Sequence, residues 1–128
     1  MKKNISIFVL CCMAATLFSS CYMRPSPTEI ANFDYGEYPT NYEQIIKGYL
    51  NEILVDPFSI KDLTITPPRQ KWIQFASMRH VGYLCYGSFF AKNRMGGYTG
   101  KTEYAFIINN GRVVFHEKAD FFRETFGY

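Results

Sequence analysis

The 128-residue chain has four cysteines and two histidines, and both scarcities exclude chemistry. Cys11, Cys12 and Cys21 fall in the first 21 residues, so a domain downstream of them holds one thiol, Cys85. No disulfide can form inside such a domain, and its stability has to come from a core. His80 and His116 stand far apart, and Asp62, Glu103, Glu117 and Asp120 follow no pattern. One thiol and two separated histidines are not a ligand set, so neither a metal nor a cofactor is expected. The basic excess is slight: 14 basic residues against 11 acidic ones, a net charge of +3. Lys2 and Lys3 lie in the leading segment, and without them 12 basic residues face 11 acidic ones. That balance gives no polybasic surface and no argument for nucleic acid. No segment repeats, and no strand–helix–strand alternation is present, so a doubly wound nucleotide-binding fold is not expected. The chain is instead rich in aromatics, with 12 Phe, 10 Tyr and one Trp. They suffice to fill the core of one small domain.

Residues 1–20 have the layout of an export signal. Lys2 and Lys3 supply a positive start, and Ile5 to Phe18 is uncharged and mostly apolar. That run is short for a membrane span, which needs ~20 residues. Phe18-Ser19-Ser20-Cys21 resembles the lipobox of bacterial lipoproteins, with Phe18 where that family usually has Leu. In that family the Cys sulfur receives a diacylglycerol, the signal is cut before it, and the new N-terminus is acylated. The resemblance implies lipid attachment at Cys21 and a membrane anchor, since two or more acyl chains bind stably at ~0.8 kcal/mol per buried CH₂. Tyr22 stands where an Asp retains enteric lipoproteins in the inner membrane, which implies the outer membrane and a domain facing the periplasm.

Residues 21–39 read as a flexible tether, with Pro25, Pro27, Pro39 and Gly36 and no sustained period. Phe33, Tyr35 and Tyr38 are able to dock on the domain, so the boundary near residue 38 is soft. A single α+β domain is expected over 40–128. Thr40-Asn41-Tyr42-Glu43 fits a capping box that opens a helix. Tyr42, Ile45, Ile46, Tyr49, Leu50, Ile53 and Leu54 form its apolar stripe, and Asp56-Pro57 ends it. Short strands are expected around Leu63–Ile65 and Trp72. The long run Arg79–Lys92 is apolar on both faces, as a central strand is, and Gly82 and Gly87 mark a bulge or a close approach of backbone. Asn110-Gly111 predicts a type I′ turn that pairs Ile108 with Val113 and Phe106 with Phe115. Lys118–Tyr128, with Phe121, Phe122, Phe126 and Tyr128, reads as a helix, a last strand or a tail closing the core. The fold class is α+β: one amphipathic N-terminal helix packed on an antiparallel sheet of four to five strands.

Tyr49-Leu50 with Leu54-Val55-Asp56-Pro57-Phe58-Ser59, and later Cys85-Tyr86-Gly87-Ser88-Phe89-Phe90-Ala91-Lys92-Asn93-Arg94-Met95-Gly96-Gly97-Tyr98-Thr99-Gly100, resembles a group of small bacterial envelope lipoproteins. That group pairs a "YL…L.DP.S" segment with a downstream "C…NAKN..GGY.G" segment. Phe90 stands where the group usually has Asn. The resemblance implies the domain and the compartment and carries no activity.

The Lys92–Gly100 loop is the candidate binding surface. Gly96, Gly97 and Gly100 permit closely approaching backbone whose amides are able to cradle an anion, and Lys92, Arg94 and Lys101 add positive charge. Tyr98 can pack over a ligand or over the sheet, and Asn93 can brace the loop on its own backbone. A phosphate loop would open a helix and end in Gly-Lys-Ser/Thr, and neither feature is present. The sharpest enzymatic reading needs Cys85 activated by an imidazole, since Asp62, Glu103, Glu117 and Asp120 would pair as glycosidase-like carboxylates only by accident of folding. His80 lies on the opposite strand parity, and a buried filler is the simpler role for Cys85, so no catalytic residue is assigned. The expected function is a lipid-anchored, non-enzymatic binding or structural module with an envelope protein partner. The alternatives are an inhibitor or ligand binder using the Lys92–Gly100 loop, and an enzyme using Cys85.

Overall fold

The structure, a computed structural model, describes residues 24–127. The export signal over 1–20 and the lipid-attachment residue Cys21 lie outside the described residues. Two compact units divide the chain between Asn32 and Phe33. In the first, helix α1 (Pro27–Ala31) forms because Ser26 and Glu29 cap each other. Glu29 N–H donates to Ser26 Oγ at 3.3 Å, and Ser26 N–H donates to Glu29 Oε2 at 2.7 Å. Pro27 fits the first helical position, where no amide donor is needed. Part of the expected tether is therefore helical.

The second unit starts with residues 33–39, which were also expected in the tether. They pack on the domain through their aromatics. Phe33 meets Trp72 edge-on at 5.7 Å, and Tyr38 meets Tyr83 at 5.3 Å. Asn109 Nδ2 donates to the Asp34 carbonyl at 3.0 Å. Apolar ring area removed from water outweighs the ordering of a short segment.

Helix α2 (Tyr42–Ile53) follows, starting one residue later than the capping-box reading. Asn41 is the N-cap and makes no side-chain cap bond, so Thr40 caps nothing. The first amides are met by backbone instead: Tyr42 N–H donates to Pro39 O, and Gln44 and Ile45 N–H to Asn41 O. Leu54 closes the helix, and Pro57–Ser59 makes a single 3₁₀ turn.

Strands β1 (Lys61–Ile65), β2 (Arg69–Phe75), β3 (Met78–Lys92), β4 (Tyr98–Asn109) and β5 (Arg112–Lys118) form an open antiparallel sheet of five strands, so the α+β class holds. β3 is central. One of its sides pairs with β4, and the other pairs with β1 and β2 end to end. Both of its faces are covered, which explains its two-sided apolar character. On one face Cys85, Phe89, Phe106 and Ile108 pack with Ile46 and Leu50 of α2. On the other, Ile73, Leu84, Tyr86, Ala105 and Ile107 pack with Ala119 and Phe122 of a further helix, α3 (Ala119–Phe126). The aromatic C-terminal stretch thus becomes a second covering helix. Arg123 ties it to β4 through Glu103 at 2.8 Å, and Lys71 Nζ donates to its last carbonyl, Phe126 O, at 3.0 Å. Gly82 is required by close approach: a Cβ there would lie 2.2 Å from the Ile108 carbonyl oxygen.

The Asn110-Gly111 turn forms as the sequence predicts, with φ of 47° and 74°. Its pairing beyond Ile108–Val113 is corrected. A bulge leaves Val114 as an extra residue, so Phe115 pairs with Ile107 and His116 pairs with Phe106. A one-residue slip exchanges faces. Phe115 joins Phe75, Phe122 and Phe126 on the α3 side, and His116 turns toward α2.

Candidate functional site

The candidate loop joins β3 to β4, and its shape is dictated by Asn93. Asn93 Oδ1 accepts from Met95 N–H at 2.9 Å and from Gly97 N–H at 3.1 Å. Gly96 N–H donates to Asn93 O at 3.0 Å, and Asn93 N–H donates to Gly97 O at 2.9 Å. The amides of 95, 96 and 97 are therefore all engaged within the loop. An anion cradle needs free inward amides, so the cradle reading of Gly96 and Gly97 is corrected: these residues close a turn around Asn93. Gly96, at a φ of +79°, adopts the left-handed conformation that the turn requires.

Ser59 fastens this loop to the rest of the molecule. Its hydroxyl donates to Asp56 O at 2.7 Å and accepts from Lys92 N–H at 2.8 Å. Its carbonyl accepts from the Tyr98 hydroxyl at 3.1 Å. The Asp56-Pro57-Phe58-Ser59 segment and the Lys92–Gly100 segment, far apart in sequence, thus meet as one unit. Lys61 and Lys92 place their ammonium groups 4.6 and 5.7 Å from the Tyr98 ring centroid. Arg94, two residues beyond Lys92, is exposed.

The Cys85 reading separates into distinct places. Cys85 is wholly buried, and burial pushes its thiol up from an ordinary 9.0 to about 12. A thiolate is not populated near neutrality, so this residue is core filling rather than a nucleophile. His80 lies on the opposite face, tilted against Phe115 at 4.9 Å. His116 shares the face of Cys85 but lies two strands away, roughly 9–10 Å across the sheet at the usual strand spacing. It is engaged elsewhere: His116 Nδ1 and the Tyr49 hydroxyl are 2.7 Å apart. Burial, then the nearby Glu52 carboxylate, raises the Tyr49 phenol. No group of three or more His, Cys, Asp or Glu suited to a metal occurs among the described residues.

Two of the unpatterned carboxylates do come together. Arg123 bridges Glu103 at 2.8 Å and Asp120 at 3.7 Å. Both line an open concavity of about 420 Å³ with Ser88, Lys101, Thr102 and Lys118. Sequence reading missed this hollow because its lining comes from two strands, a strand end and a helix brought together only by the sheet. It also gave Ser59 no role, although the serine stood inside a quoted segment.

No protein-family model, no curated protein and no solved structure matches the chain.

Proposed function

We propose that the chain is a lipid-anchored envelope protein whose domain faces the periplasm as a non-enzymatic binding or structural module. The observation that carries the reading is Phe18-Ser19-Ser20-Cys21, which resembles a lipobox behind a positive start and an apolar run. The resemblance to the small envelope lipoproteins adds the paired segments that Ser59 and Tyr98 join, and Tyr22 after Cys21 favours the outer membrane. Support for a non-enzymatic role comes from Cys85, whose thiol is buried and held protonated. The α2 helix on its sheet and the loop braced by Asn93 make a preset scaffold for an envelope partner. The inhibitor reading draws on Met95, which stands 94% exposed at the loop tip.

Growth of producing cells in labelled palmitate tests the anchor. Label is expected in the protein and is expected to vanish in Cys21→Ser. A mature protein without label, released with the soluble periplasmic fraction, overturns it. A pull-down from membranes with Lys92, Asn93 and Tyr98 replaced then tests the loop. Unchanged recovery of every partner makes the loop scaffolding.

A further inference from the structure

We propose that the joined tips carrying Phe58 and Met95 form a docking surface for an anionic phospholipid bilayer. Phe58 is 98% exposed and Met95 94%, so each projects nearly its whole apolar side chain into water. They stand on one unit: Phe58 precedes Ser59, and Ser59 is bonded to Lys92 and Tyr98 on the two sides of the Met95 loop. Val55, also exposed, adds to the apolar surface of the same region.

The surroundings decide what covers these tips. Tyr98 is 40% exposed, with an apolar ring and a polar hydroxyl end, the character of side chains at a membrane–water boundary. Lys61 and Lys92 lie against its ring, and Arg94 sits next to Met95. Asp56 and Asp62 are the acidic residues of the same stretch. Lys61, Lys92 and Arg94 are three cations against these two carboxylates. Long cationic side chains reach lipid phosphates while their stems and the apolar tips lie deeper. Two separate projecting tips, rather than a groove or a flat apolar face, fit a fluid interface better than a shaped protein surface. The inference concerns the orientation of the domain and stands apart from lipid attachment at Cys21.

Vesicle flotation tests it. The unit from Phe33 onward holds every core residue among the described residues and is compact by itself, so a chain starting at residue 24 removes Cys21 from the measurement. That protein is expected to float with vesicles of phosphatidylethanolamine and phosphatidylglycerol, and less with neutral phosphatidylcholine. Phe58→Asp with Met95→Asp should lower the bound fraction by about fivefold or more, and salt should weaken binding further. Both positions are exposed, so folding is unaffected. Absence of flotation overturns the proposal, as does flotation unchanged by the double substitution. A dimer in sedimentation velocity that Phe58→Asp dissolves would also overturn it, because a second copy would then cover the tips. Palmitate labelling of the full chain reports on the anchor alone, so the two failures are distinguishable.

Discussion

Cys85 shows how one side chain changes meaning with its surroundings. Wholly buried in the cluster that holds Phe106 and the α2 residues Ile46 and Leu50, its thiol has nothing to stabilise a negative charge, and its pKa rises to about 12. The folded chain keeps this proton at pH values where the unfolded chain, at an ordinary 9.0, releases it. Stability is therefore full below about pH 9 and declines from there toward pH 12. Tyr49, also raised by burial, adds to the decline above its ordinary 10.0. Urea unfolding at stepped pH is expected to show this alkaline loss, of about 2–4 kcal/mol by complete thiol ionisation. In Cys85→Ala the overall stability falls through the lost contacts, and the alkaline slope becomes shallower. An unchanged slope in that variant would assign the pH dependence to other groups.

At the scale of elements, the two tight turns differ in legibility. Asn110-Gly111 announces a type I′ turn because both residues accept positive φ, and it forms as predicted. Ala76 and Ser77 make the β2–β3 turn with φ of 45° and 65°, and nothing in those residue types announces it. Alanine in that conformation is strained by its Cβ. Replacing Ala76-Ser77 with Asn-Gly is expected to stabilise the protein by about 0.5–1.5 kcal/mol, read as a higher urea midpoint at unchanged slope. A lower midpoint would show that Ser77 contacts outweigh the backbone relief. The β5 bulge at Val114 was equally silent. A single extra residue leaves the apolar pattern readable in either register, and only packing of Phe115 against Phe75 and Phe122 selects one. The same bulge and the irregular register of β1 at Asp62 roughen both edges of the sheet, which discourages a partner strand from adding there.

At the scale of the whole molecule, the boundary between the compact units falls after Asn32, not after Pro39. A chain starting at Phe33 keeps the Phe33–Trp72 contact, the Tyr38–Tyr83 contact and the Asn109 bond to Asp34. Its melting temperature is expected to match that of a chain starting at residue 24. Starting at Thr40 removes all three and should lower it by several degrees, since about 1 kcal/mol shifts a domain of this size by roughly 4–8 °C. Equal melting of all three chains would return residues 33–39 to the tether.

The sequence by itself determined the α+β class, the helical stripe of α2, the central place of β3 and the Asn110-Gly111 turn. Each rests on local chemistry: a repeat of apolar residues, a two-sided apolar run, a pair of residues tolerant of positive φ. It also supplied the leading segment from which the anchor is inferred. The tertiary structure alone decided that His116 meets Tyr49 rather than Cys85, and that Ser59 ties two distant segments together. It alone decided that the loop amides serve Asn93. Those outcomes depend on which strands become neighbours and in what register, and such pairing is set by the simultaneous packing of both sheet faces rather than by any stretch of chain.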